Sequence, residues 1–167
     1  PLAAPGDDGS VDRIGAAEIS TDWGARILSN QSAIYDPLSY HYGSVWPLFT
    51  GWSAMAAYRY GRPHIGFQAL MANALLTFPG ALGYVTELLS GDFATPFGRS
   101  SHHQVWSEAM VVAPIVRGLL GIEVSDGGNT IRVADLGLRP TTDGGGRLED
   151  MSLEEVEAFL IKKAMAR

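Results

Sequence analysis

Three apolar segments, each closed off by Pro and Gly, constrain this chain more than any other feature. "VWPLFTGWSAMAAYRYG" carries Pro47 at its start and Gly61 at its end. "RPHIGFQALMANALLTFPG" repeats the plan, with Pro63 early and Pro79-Gly80 as the stop. "VWSEAMVVAPIVRGLLGIE" ends at Gly121 and holds Pro114 inside, where a proline removes a backbone donor and bends a helix. Proline is well placed in a first turn, and glycine just past the last one. The spacing therefore predicts three helices. Each is apolar well beyond a single stripe, so each is expected to be buried on several sides, as in a layered all-α body.

The segments around them differ. Residues 1 to 15, "PLAAPGDDGSVDRIG", read as a loose lead-in, and as the interior of a longer chain or a processed end. "AAEISTDWGARILS" reads as a short helical turn followed by an irregular stretch. "NQSAIYDPLSYHYGS" is turn chemistry punctuated by Asp36-Pro37. From Val124 the chain becomes rich in Gly, Asp and Thr, which gives a linker over 125 to 150 with one short strand candidate at 130 to 133. Residues 151 to 167 predict an amphipathic helix, opened by a Ser152–Glu155 capping box and striped by Leu153, Val156, Phe159, Leu160 and Ala164.

Composition narrows the function classes. A net charge of −6 argues against a nucleic-acid surface on residues 1 to 124, because phosphate contacts need clustered Lys and Arg. No run approaches the ~20 apolar residues that span a bilayer, so a soluble, cytoplasmic chain is expected. The absence of cysteine excludes thiolate chemistry and disulfides. His102-His103 invites a metal reading, but adjacent histidines in an extended loop point apart and no partner accompanies them, so no metal site is expected. The sets "DGG" and "DGGG" lack phosphate-loop spacing, and no cofactor is expected.

One stretch stands out for chemistry. "GYVTELLSGDFATPFGRSSHHQVWSEA", residues 83 to 109, holds a single carboxylate, Glu87, beside Val85, Leu88 and Leu89. That glutamate reads either as a solvated loop carboxylate or as a base held in a pocket. His41 reads equally as a site contact or a hydrogen-bonded packing residue. Trp46 and Trp106 flank the polar loops and are read as site residues, whereas Trp52 is assigned to the core. Asp92, beside Gly91, reads as a turn former.

The ordered pair of stretches "TDWGARILSNQSAIYDPLSYHYGSVWPLFTGWSAMAAYRYGR" and "TELLSGDFATPFGRSSHHQVWSEA" resembles the pattern of bacterial glycogen-debranching, or amylo-α-1,6-glucosidase-type, glycoside hydrolases. The family pattern runs from "WG-R-LS" through "YH-GSVWP" to a helix ending "Y-x-x-GR". Later come a loop glutamate and "Q-x-W-S" opening another helix. The resemblance covers roughly residues 16 to 124 and implies part of an (α/α)6 toroid. It implies that Glu87 is the general base of an inverting glycosidase acting on an α-glucan or oligosaccharide. Tyr40, His41 and Trp46 would then line the sugar cavity, and Gln104 with Trp106 its far wall. The family's catalytic acid lies upstream of the matched region, so a C-terminal fragment of the enzyme is expected, inactive alone and prone to self-association through uncovered apolar helices. A non-catalytic carbohydrate-binding or interaction module is the alternative.

The tail departs from that pattern. "ADLGLRP" followed by "LEDMSLEEVEAFLIKKAMAR" resembles the segment joining the ATPase domain to the DNA-binding helices of bacterial enhancer-binding response regulators. It stops at Arg167 before any recognition helix, which makes a truncated or chimeric chain a third reading.

Overall fold

Pro47 and Pro63 each open a helix in the computed structural model, which describes residues 8–122. The linker, the strand candidate at 130 to 133 and the tail helix lie outside the described residues. The described part is mainly helical: α1 (Asp8–Ile14), α2 (Pro47–Arg59), α3 (Pro63–Leu75) and α4 (Val105–Ala113), with a small sheet of β1 (Ser20–Thr21) and β2 (Gly24–Ala25). Among the described residues no helix is long and apolar enough to cross a membrane.

The end of α2 shows how local sequence sets the chain path. Gly61 sits at φ 71°, its N–H bonds to the Tyr58 carbonyl, and the Arg62 N–H reaches back to Ala57 O at 2.8 Å. These are the two bonds of a Schellman stop, which needs a residue tolerant of the left-handed region. The chain reverses there and Pro63 immediately starts α3. The two helices pack as an antiparallel-type hairpin, and α2 also touches α1, α4 and β2. This central position explains why α2 is apolar on nearly every side.

Pro114 has a larger effect than a kink. It cannot donate to the Met110 carbonyl one turn back, and the helix runs on in π form over Pro114–Leu119, with Leu120 N–H bonded to Ile115 O at 2.9 Å. Asn73 of α3 takes the vacated role. Its amide nitrogen donates to Met110 O at 3.2 Å and to Pro47 O at 2.8 Å, joining α3 to α4 and to the first turn of α2. The side chain is fully buried.

Three expectations differ from the structure. The second half of the lead-in is helical, because Val11 packs in a buried cluster with Ala57 and Ile65. The stretch after it makes the expected helical turn, with Ser20 N–H bonded to Ala16 O at 2.8 Å, but then forms a hairpin where an irregular segment was expected, with Ser20 opposite Ala25 and Thr21 opposite Gly24. Trp52, assigned to the core, is 40% exposed on α2 and lines a cavity of about 200 Å³ with Val11, Ile14, Phe49 and Tyr60.

Candidate functional site

Glu87 belongs to an extended segment held on both sides. On one side Leu89 and Val45 exchange backbone hydrogen bonds of 2.8 and 2.9 Å, and Val45 also bridges to Arg26. On the other, Glu87 N–H donates to Ser101 O at 2.8 Å and Gln104 N–H to Val85 O at 3.0 Å. The Ser100 hydroxyl donates to Leu88 O and accepts the Leu88 N–H, which closes the ladder. Val85, Leu88 and Leu89 are buried, and they seat the segment against the body. The carboxylate thus sits on a fixed backbone, which is what a group with a geometric task requires.

The side chain of Glu87 is itself buried, at 9% exposure. Burying an ionised carboxylate is costly unless donors meet it. Here the Tyr40 hydroxyl donates to Oε1 at 2.5 Å and the Ser101 backbone N–H to Oε2 at 3.2 Å. A carboxylate offers about four acceptor directions, so two donors leave room for a water or a substrate hydroxyl.

Tyr40 is fixed in turn. Its ring stands edge-on to Trp46 at 4.7 Å between centroids and edge-on to His41 at 4.9 Å, with the Arg99 guanidinium 5.7 Å from its centre. Its carbonyl accepts from Ser44 Oγ and from Trp46 Nε1, and that indole N–H also donates to Ser44 Oγ at 2.8 Å. The hydrogen bond to the Glu87 carboxylate, then desolvation and the nearby negative charge, hold the Tyr40 phenol above its ordinary value, with Arg99 opposing. The phenol therefore stays protonated and remains a donor.

Neither a family model nor a curated protein matches this chain.

Of the residues singled out from sequence, Tyr40, His41, Trp46 and Glu87 come together as one contact cluster. Trp46 is buried, at 7% exposure, with Phe49 on one side and Tyr40 on another, so it reaches the cluster through the Tyr40 ring. His41 is exposed at the edge of the cluster. Gln104 is the residue preceding α4, tied by its backbone to Val85, and Trp106 is 40% exposed in the first turn of that helix. None of the ring contacts joining Tyr40, His41 and Trp46 includes Trp106.

Sequence reasoning missed several supports. Ser101 acts through its backbone, which no side-chain pattern announces. Arg26 donates to Gly91 O at 2.7 Å, the Trp23 indole to Ser90 O at 2.9 Å, and the Tyr35 hydroxyl to Asp92 at 2.7 Å. Asp92 is thus a tyrosine-bound carboxylate, and its own N–H takes Ser90 Oγ as acceptor at 3.2 Å. Gly91 packs so closely that a Cβ there would lie 2.2 Å from Gly43 O. The turn after Glu87 is clamped by the stretch that precedes α2. Among the described residues no group of three or more His, Cys, Asp or Glu converges to hold a metal ion.

Proposed function

We propose that this chain carries the general-base half of an inverting glycoside hydrolase site, acting on α-glucosidic bonds of glycogen-like glucans within an (α/α)6 toroid. The observation that carries the proposal is the Tyr40–Glu87 hydrogen bond, which links residues 47 positions apart in the sequence. Each partner comes from a different one of the two stretches that resemble the glycogen-debranching type, and the fold between them is the α2–α3 hairpin.

In this reading Glu87 accepts a proton from water as that water attacks the anomeric carbon. An inverting enzyme sets its acid and base ~6.5–9.5 Å apart, with the acid protonating the leaving oxygen from the opposite side. The acid comes from outside the matched region. Tyr40 orients the base through Oε1 and the Ser101 amide through Oε2, so the remaining lone pairs face a defined direction. His41, Gln104 and Trp106 are assigned to the sugar side of the base.

The test is Glu87→Gln in the protein that carries this segment within its complete toroid. A general base contributes about 10²–10⁴ in rate, so α-glucan hydrolysis should fall by about that factor while oligosaccharide binding persists. Hydrolysis unaffected by the substitution removes the base role. Binding without hydrolysis in the unsubstituted protein turns the reading to a carbohydrate-binding module, and absence of any glucan binding removes both.

A further inference from the structure

Segment 101–104 faces Glu87 on one side and a second cluster on the other. Ser101 N–H meets Glu87 Oε2 at 3.2 Å, and Ser101 Oγ donates to His103 O at 3.0 Å, so the two residues are tied as one tight unit. The His103 imidazole lies flat on the Tyr84 ring, with centroids 4.0 Å apart and planes 17° from parallel. Its Nε2 stands 2.9 Å from Glu108 Oε1. That oxygen is buried and makes no well-aligned hydrogen bond, and the imidazole edge meets it as an ion-pair contact. Glu108 is anchored through its own N–H to Gln104 O at 3.1 Å, one turn into α4.

We infer that His103 is a positioning residue for the Glu87 carboxylate: gripped between the Tyr84 ring and Glu108, it holds the Ser101 amide against Oε2. A buried carboxylate oxygen without a donor is costly, and the imidazole is the group that faces it, as a cation when protonated. Parallel stacking on Tyr84 fixes the ring plane, so the imidazole reaches Glu108 from one direction only. The Ser101–His103 bond passes that fixity two residues along the chain to the amide that meets Glu87. A surface ion pair would add little alone; here its effect is to remove freedom from a backbone donor. The inference rests on the general-base reading for its catalytic consequence, while the clamp itself is tested without any turnover.

The experiment uses the whole chain and two nuclear magnetic resonance readouts: hydrogen exchange at the Ser101 amide and titration of the Tyr40 phenol carbon. In His103→Ala the Ser101 amide should exchange about tenfold faster, the equivalent of one hydrogen bond to a charged group. Tyr40, no longer facing a held carboxylate, should titrate closer to the ordinary tyrosine value. His103→Gln places an amide donor beside Glu108 and should restore both signals. Glu108→Ala releases the clamp from the helix side and serves if His103→Ala does not fold. Unchanged exchange and titration in either folded variant overturns the clamp, and so does His103→Gln behaving like His103→Ala. A wild-type Tyr40 that titrates at the ordinary value is a separate failure: it removes the Tyr40–Glu87 pair and with it the general-base reading.

Discussion

Tyr40→Phe isolates the bond on which the site depends. The substitution removes one hydroxyl and leaves the ring that packs edge-on to Trp46 at 4.7 Å and lies under Arg99. What is lost is the 2.5 Å donation to Glu87 Oε1, leaving the buried carboxylate with the 3.2 Å Ser101 amide. A hydrogen bond to a charged group is worth about 1.5–3 kcal/mol. The Glu87 side chain keeps a little solvent access, so about 1.5–2 kcal/mol is the expected loss. For a chain of this length each kcal/mol moves the melting point by about 2–4 °C, which gives a fall of about 3–8 °C. Urea unfolding at neutral pH should be run on the wild type, Tyr40→Phe, Glu87→Gln and the double variant. Because the two side chains share one bond, the double variant should lose about 1 kcal/mol less than the sum of the singles. Independent sites add to within about 0.3–0.5 kcal/mol, and additivity to that level would refute the argument that Tyr40 and Glu87 act as a pair.

Asn73→Leu keeps the branched shape but removes the donor shared by Pro47 O and Met110 O, and should cost about 1–3 kcal/mol in the same unfolding assay; a neutral effect would mean that these carbonyls need no amide. Alkaline stability follows from three tyrosines held above their ordinary value, Tyr40 chiefly by its bond to Glu87, Tyr35 chiefly by burial and Tyr58 by burial. A group with a raised folded-state value contributes fully below the unfolded value near 10 and loses that contribution as pH rises past it. The urea midpoint should therefore hold below the unfolded tyrosine value of about 10 and drop as pH rises past it, less steeply in Tyr40→Phe, and a flat profile would contradict the assignment. Phe67, Leu75, Phe78 and Leu82 are each at least half exposed, so the chain should bind a hydrophobic dye or self-associate in sedimentation; a dye-negative monomer would count against uncovered apolar helices.

Helices α2 and α3 were legible because their signals are local, a proline in the first turn, a glycine beyond the stop and apolar residues between, and α4 because an apolar run leads from it through Pro114 to Gly121. The hairpin at Ser20–Ala25 and the ladder through Glu87 were not, since each strand is two residues or a single bridge long and its partner is set by tertiary contact. Helix α1 has only a weak local signal for a related reason: "DGSVDRI" has one deeply buried apolar residue, Val11, whose partners lie on α2 and α3. Glu87 and Tyr40 could be singled out, but not the donor Ser101, because a backbone amide has the same chemistry at every residue but proline. Asn73 did leave a trace. Pro114 sits four residues after Met110, so a carbonyl had to find a donor elsewhere, and a lone asparagine in an apolar helix was available to supply it.

The α2–α3 hairpin has a kinetic meaning. Tyr40 and Glu87 lie on its two flanks, and in an unstructured chain bringing them together would close a loop of 47 residues. Once Gly61 has reversed the chain and the two helices have zipped, most of that loop is already ordered, and only the short ends beyond Pro47 and Leu75 still have to be searched. Closure entropy grows with the logarithm of the free length, and long-range contacts otherwise slow folding. The carboxylate and its tyrosine are therefore expected to meet late and quickly, as passengers of a hairpin that has formed before them.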